Sequence, residues 1–511
     1  MLGKVLSGTV TGIEGVQVMV EADISDGLPQ FDMVGFLASE VKEARERVRT
    51  AIKNTGYILE PKRYTINLSP ANLRKEGNMF DLPIAVAVLI GSGAVPQRVV
   101  EDCMLFGELG LDGTLRPING TLPLVTEAGR LGIKRCVVPY ENGMEGSVVD
   151  GVDVFALKDL KEVIDYLLNP EKYCPVITDA AEMLLKEMRS VKEDFSDING
   201  QLAAKRATTI AAAGFHNILY IGPPGSGKSM MARRLPTILP QLTLDEAIEL
   251  TKIYSICGLL PRNKALVGAR PFRSPHHTTS MQAMTGGGRV PKPGEISLAD
   301  RGVLFLDELP EFNNSTLEVL RQPLEDREIV LARVHGSYRY PANFQMVAAM
   351  NPCKCGYYPD RTRCKCTTAD VNRYLQKISQ PLLDRIDLCI EMPKLEYDDL
   401  ALQSDKNETS AQIREKVERA VNMQKERYKN ESILFNSQLN AKLIEKYCPL
   451  GEAENKLLGE AFEAMNLSAR AYHRIIKVAR TIADLEGSES ITTSHLSEAI
   501  GYRTFDKEVW G

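Results

Sequence analysis

The stretch NILYIGPPGSGKSMMARRLPTIL, residues 217 to 239, decides how the centre of this 511-residue chain folds. NILYI reads as a short buried strand, and MMARRLPTIL carries a helical pattern. Between them GPPGSGKS, Gly222 to Ser229, fits G-x-x-x-x-G-K-[ST]. The loop Gly222, Pro223, Pro224, Gly225, Ser226 and Gly227 turns backbone N–H groups toward phosphate oxygens. Lys228 reaches the β and γ oxygens, and Ser229 ligates Mg²⁺. A glycine-rich turn is the bland reading, but such a turn needs neither the strand before it nor the helix after it. ATP and Mg²⁺ are the predicted cofactors.

Further along, GVLFLDELPEF (302–312) ends four apolar residues in Asp307 and Glu308. A buried strand there delivers two carboxylates to the sheet edge where nucleotides bind. Asp307 holds Mg²⁺ through water, and Glu308 polarises the attacking water. FQMVAAMNP (344–352) reads as another buried strand, ending in Asn351. Its neutral amide binds the attacking water or the γ-phosphate without cancelling the metal charge. LLDRIDL (382–388) places Arg385 between apolar positions and two aspartates, either as a phosphate-directed cation or as a surface salt bridge. From 198 to about 395 strands alternate with helices, the pattern of a parallel α/β sheet. From about 408 the signal turns helical, with Ile413, Val417 and Val421 at i, i+4 and i+8.

Strand, P-loop, acidic strand, Asn-ended strand and downstream arginine resemble an AAA+ ATPase of the magnesium-chelatase/MCM branch. RPFRSPHHTTS (270–280), PKPGEISLADRGVLFLDELPEF (291–312) and LSARAYHRIIKVARTIADL (467–485) resemble the ComM/YifB family, and the likeness covers nearly the whole chain. The resemblance implies that Asn351 is the sensor-1 residue and Arg385 an arginine finger acting on a neighbour's ATP. Arg470 resembles the sensor-2 arginine, with Arg474 one turn away as the alternative. A finger supplied in trans is worth about 10³ to 10⁵ in rate, and with it the resemblance implies a ring, a homo-hexamer.

Lys228 and Asp307 stand 79 positions apart, too far for one helix and one strand. MQAMTGGGRVPKPGE (281–295) resembles the helix-2 insert of this branch, and REIVLARVHGSYRYPANFQMVAAM (327–350) resembles the hairpin before sensor 1. In ring relatives both point into the pore. Arg289, Lys292, Arg333, His335 and Arg339 are therefore candidates for DNA backbone contacts, because phosphate neutralisation needs cations and no particular sequence. Solvated basic loops are the competing reading. His276 and His277, read as strand neighbours on opposite faces, suit a structural or interface role better than chelation of one ion.

The first 168 residues alternate β-branched runs (VQVMVEADI, RYTINLSP, CMLFGELGL, KRCVVP, VDVFAL) with helical patterns in SEVKEARERVRTAIKNTG and PIAVAVLIGSG, an α+β pattern. The strings around KEGNMF (75–80) and PINGTLPL (117–124) resemble the Lon-protease-type domain, whose fold is shared with a ribosomal-protein domain. Lon enzymes need a Ser activated by a Lys amine. Here Met79 takes the Ser position, no Lys follows Gly120, and Ser69 is out of register, so no protease activity is expected.

A chain this long implies several domains. Net charge is -5, so any DNA contact is local. No basic-then-apolar leader opens the sequence, and no apolar run approaches the eighteen or so residues of a membrane helix, so a cytoplasmic protein without membrane association is expected. In that compartment Cys103, Cys136, Cys174, Cys257, Cys389 and Cys448 are reduced thiols. The other four cysteines fall in NPCKCGYYPDRTRCKC (351–366), spaced C-x-C-x8-C-x-C. Cys353, Cys355, Cys364 and Cys366 suit a four-thiolate Zn²⁺ site. Free thiols and an iron–sulfur centre are the alternatives.

The expected fold is multidomain α/β. A Lon-protease-like α+β domain without its dyad (1–168) and a linker (169–197) precede an AAA+ P-loop parallel-sheet core (198–395) and a C-terminal helical lid (396–511). The resemblance implies an ATPase moving on branched or single-stranded DNA through pore loops, with branch migration or helicase activity in recombination or natural transformation. The alternative is a magnesium-chelatase-type ATPase that remodels a protein partner. A dedicated chelatase subunit ordinarily lacks the N-terminal domain and the cysteine insertion. A third reading, an ATP-binding scaffold, sits poorly with the complete set Lys228, Asp307, Glu308, Asn351 and Arg385.

Overall fold

Apolar runs bounded by glycine and proline become the strands of two separate sheets. The computed structural model describes residues 2–189, 193–262, 264–288, 291–333, 336–394, 407–465 and 467–503. Met1–Arg189, Thr243–Ala269 and Ala332–Arg339 form one compact unit. Ser190–Leu242, Arg270–Leu331 and Tyr340–Gly511 form the other.

In the first unit a seven-stranded mixed sheet runs in the order Gln30–Val34, Arg63–Ser69, Glu14–Ser25, Leu2–Thr11, Cys103–Leu105, Arg135–Pro139, Asp153–Leu157. Leu2–Thr11, Glu14–Ser25 and Arg63–Ser69 pair antiparallel, and the last three strands run parallel to Leu2–Thr11. The helix Asp81–Gly91 is buried along its whole length against Leu2–Thr11 and Glu14–Ser25. Helix Ser39–Asn54 buries Val41, Ala44, Val48, Ala51 and Ile52, a stripe of helical period. Two strands and a helix of this unit carry no clear sequence signal. Leu2–Thr11 is diluted by Gly3 and Gly8, Gln30–Val34 is a half-exposed edge strand, and helix Thr121–Arg130 takes Pro123 into its first turn.

The segment Thr243–Ala269 joins this unit although it lies between the P-loop helix and the acidic strand in sequence. Its helix Leu244–Cys257 opens on a Thr243/Glu246 capping box and closes on left-handed Gly258. It packs on helix Thr121–Arg130, and Ala265 and Leu266 share an apolar cluster with Leu122 and Val148.

The second unit is built on a five-stranded parallel sheet in the order Phe272–Arg273, Val303–Leu306, Gln345–Met350, Ile218–Ile221, Leu388–Glu391. Every residue of the three middle strands is buried, which explains their unbroken apolar runs. The Asn351 strand lies between the P-loop strand and the acidic strand, so three chemistry-bearing ends meet at one sheet edge. Helices Ser410–Arg427 and Ala469–Leu485 pack on helix Leu202–Gly214, which leads into the P-loop strand. Inside them Asp484 accepts from Arg427 Nη1 (2.9 Å), Asn436 Nδ2 (2.8 Å) and Arg480 Nε (3.1 Å). Among the described residues no helix is long and apolar enough to cross a membrane.

Glu328–Arg333 and Gly336–Pro341 pair as a two-stranded ribbon, and so do Gly286–Gly287 and Lys292–Pro293. Lys292, Arg333 and Arg339 are exposed. Arg289 and His335 lie outside the described residues.

Candidate nucleotide site

The P-loop leaves its strand at Gly222, whose N–H donates to Met350 O at 3.2 Å. Left-handed Gly225 and Gly227 then bend the chain into helix Lys228–Ile238. Lys228 Nζ donates to the carbonyls of Gly222 (2.7 Å) and Pro223 (2.8 Å) and to Asn351 Oδ1 (3.2 Å). Burial pushes the Lys228 ammonium down, against the attraction of Asp307. Ser229 Oγ donates to Asp307 Oδ2 at 2.8 Å. The hydroxyl and carboxylate that would share a magnesium ion are thus already adjacent, and the site fits Mg²⁺ with a nucleotide phosphate. Glu308 has a left-handed backbone (φ 53°), and its N–H donates to Asp307 Oδ1 at 3.0 Å. Lys228, Ser229, Asp307, Glu308 and Asn351 therefore come together at one edge.

His276 and His277 are not strand residues. The strand ends at Arg273, and in the loop beyond Pro275 the two rings lie 4.1 Å apart, tilted by 34°. His277 Nδ1 is 3.6 Å from Glu308 Oε2, a partner that sequence reasoning missed.

The four-cysteine loop starts at the same edge. Its sulfurs lie within 4.8 Å of one another, at 3.3 Å (Cys353–Cys355), 3.5 Å (Cys355–Cys364) and 3.8 Å (Cys353–Cys364). Four thiolates about 2.3 Å from a tetrahedral zinc ion stand about 3.8 Å apart, so this donor set fits Zn²⁺ with small relaxation. Against burial, the Tyr357 N–H and the neighbouring thiols hold the Cys355 thiol down at about 6. Gly356 is left-handed (φ 88°), and a Cβ there would stand 2.6 Å from Pro224 Cδ. Arg361 and Arg363 lie 5.1 Å and 5.9 Å from the ring centres of Tyr358 and Tyr357.

Arg385 is placed elsewhere in the second unit. Its Nε donates to Arg321 O (3.1 Å), its Nη1 to Pro381 O (2.6 Å), and Nη2 pairs with Glu325. Arg470 Nη1 is 3.8 Å from Asp384 Oδ2. Arg385, Arg470 and Arg474 line one cavity of about 680 Å³, and no residue of 222–229 lines it. The arginines are gathered with each other and not with the P-loop.

In the first unit Lys75 is fully buried, with Nζ donating to the Pro70 carbonyl, and burial pushes its ammonium down. Met79 is buried. Leu122, two residues after Gly120, gives its N–H to Glu145 Oε1 at 2.8 Å.

Three family profiles match: "Magnesium chelatase, subunit ChlI" over residues 194–400, "Subunit ChlI of Mg-chelatase" over 20–142, and "Magnesium chelatase, subunit ChlI C-terminal" over 407–503. The chain is 43% identical over 503 residues to "Competence protein ComM" of Haemophilus influenzae, covering 98% of this chain and 97% of that one. It is 42% identical over 497 residues to "Uncharacterized protein YifB" of Escherichia coli, covering 97% and 96%. Over 135 residues it is 28% identical to "Lon protease 2" of Bacillus subtilis, covering 26% of this chain and 24% of that one. A magnesium-chelatase-like AAA+ domain thus accompanies Lon-like homology, and the chain belongs to the ComM/YifB family of magnesium-chelatase-like AAA+ proteins.

Proposed function

We propose that the protein is a ring-forming ATPase that couples ATP hydrolysis to movement on DNA, by branch migration or helicase action in recombination or natural transformation. One observation carries the reading. Arg385 and Arg470 share a cavity that no P-loop residue lines, so a single chain holds two half-sites that a second copy completes. Repeated around a closed ring, most simply a homo-hexamer, each chain's Lys228, Ser229, Asp307, Glu308 and Asn351 meet a neighbour's Arg385 and Arg470. Glu308 orients the attacking water, and Asn351 fixes the Lys228 ammonium beside the phosphates. Similarity to a competence protein along nearly the full chain supports the DNA side of the reading.

In this reading 198–395 is the motor and 396–511 its lid, while 169–197 links them to a non-proteolytic scaffold, 1–168, in which Met79 stands where a nucleophile would be. Exposed Lys292, Arg333 and Arg339 suit contacts to DNA phosphates. Cys353, Cys355, Cys364 and Cys366 hold zinc beside the nucleotide site. The setting is cytoplasmic.

A second reading, an ATPase that remodels a chelatase-like protein partner, is favoured by the description of the three matching profiles. Purified protein mixed with forked or four-way DNA separates the two. DNA-stimulated ATP turnover and strand displacement, both lost in Lys228→Ala, support the motor. Turnover indifferent to DNA but raised by a porphyrin-chelatase partner sinks it.

A further inference from the structure

The cavity that holds Arg385 and Arg470 also holds Arg327, Arg474 and Lys477. Among the described residues, the carboxylates that line it are Glu325 and Asp387. Glu325 is taken by Arg385. Asp387 is shared by His216 (3.4 Å) and Arg474 (3.6 Å). Arg327 and Lys477 are left with neutral partners at hydrogen-bond distance, the carbonyls of Phe344 (3.3 Å) and Ser437 (3.0 Å). A half-buried cation hydrogen-bonded to a carbonyl keeps its charge, and withdrawing it from water is unfavourable unless an anion faces it. Burial pushes Lys477 down to about 8 despite Asp387, with Arg474 and Arg327 repelling it. On the same wall Ser437 Oγ is buried without a hydrogen-bond partner.

Two guanidinium groups, an ammonium and a free hydroxyl converge on one space with too few carboxylates. Guanidinium forks and hydroxyls suit tetrahedral oxyanions, which accept several charge-assisted hydrogen bonds at once. We propose that Arg327, Arg474, Lys477 and Ser437 form a second phosphate-class anion site, separate from the P-loop. Its ligand is either free inorganic phosphate or the terminal phosphate of a nucleotide held by an adjoining copy. Only the second source rests on the ring reading above.

The test uses full-length, nucleotide-free protein carrying Lys228→Ala, so that the P-loop lysine contributes nothing, titrated with inorganic phosphate by calorimetry. Phosphate binding is expected to survive Lys228→Ala. Adding Lys477→Met should weaken it about tenfold, the loss of one charge-assisted contact, while Lys477→Arg restores it. If Lys477→Met does not fold, as read by circular dichroism, Arg327→Gln carries the same comparison. Binding abolished by Lys228→Ala alone, or unchanged by Lys477→Met, overturns the proposal. Steady-state turnover of the single Lys477→Met variant then identifies the source. A free-phosphate site raises the phosphate concentration needed for half-inhibition and leaves KM for ATP alone. A site for the adjoining nucleotide raises KM and leaves phosphate inhibition alone. If neither constant changes, the site has no role in turnover and the proposal is overturned. The titration needs no DNA and no ring, so failure of the motor reading leaves this result standing.

Discussion

Gly356 of the cysteine loop stands on Pro224 of the P-loop: a Cβ at Gly356 would lie 2.6 Å from Pro224 Cδ and 3.7 Å from Asn351 Cγ. One backbone position therefore touches both the phosphate loop and the residue that receives the Lys228 ammonium. Gly356→Ala must either push Pro224 or move the cysteine loop, and its left-handed φ adds about 1–2 kcal/mol of strain. ATP affinity should fall about tenfold, the equivalent of 1.4 kcal/mol. Gly487→Ala is the control, with a similar φ of 71° and nothing within 4 Å. Equal ATP affinity in the two variants, by fluorescent-nucleotide titration, rules out this contact as a support of the cradle.

The same contact gives the metal site a measurable consequence. The protein should carry one equivalent of zinc per chain. A Cys353→Ser, Cys364→Ser variant should lose that zinc, and ring assembly and ATP turnover should fall before nucleotide binding does. Elemental analysis, light scattering and a turnover assay check the three statements separately. Normal rings with normal DNA-stimulated turnover in a zinc-free variant would show the cluster to be dispensable.

Because Arg385 and Arg470 share a cavity apart from the P-loop, they should belong to one complementation group. Arg385→Ala alone should lower turnover about 10³-fold or more. Mixed equally with Lys228→Ala subunits, it should regain roughly a quarter of wild-type turnover, since half the P-loops are intact and half of those face an intact finger. Arg470→Ala should likewise be rescued by Lys228→Ala and not by Arg385→Ala. Failure of Arg470→Ala to complement Lys228→Ala would place its action on its own nucleotide.

How much of this was readable in the chain follows from the range of each constraint. The P-loop, the acidic strand and the Asn351 strand are local: backbone conformation or complete burial dictates residue type within ten positions. The helical face Ile413, Val417, Val421 is local too, and all three are buried as spaced. Contacts between distant segments leave no such mark. Gly356 looks like any loop glycine until Pro224 is beside it, and His277 looks like strand sequence until the loop carries it to Glu308. Arg327 and Lys477 come from segments 150 positions apart and are joined only by the cavity they line. The placement of Thr243–Ala269 with the N-terminal unit was equally hidden, because its capping box and apolar face specify a helix and not the surface it packs on.

Asp387 makes the finger-side cavity sensitive to acid. Against the upward push of burial, His216, Arg474 and Lys477 hold its carboxyl well below the usual range, and the Asn217 N–H donates to it at 3.1 Å. A carboxylate whose folded pKa is depressed contributes stability in full above its unfolded value, about 3.9, and loses that contribution as pH falls through the folded value. Asp387→Asn leaves the cavity's cations without their shared counter-charge, so at pH 7 it should cost about 3–5 kcal/mol. The gap between wild type and variant should stay constant from pH 7 to about 5 and narrow only below about 4, where Asp387 of the unfolded wild-type chain takes up its proton before the folded carboxylate does. Denaturant unfolding of both proteins across that range measures it, and a gap that already closes between pH 7 and 5 would show that the Asp387 carboxylate is not the source of the stabilisation.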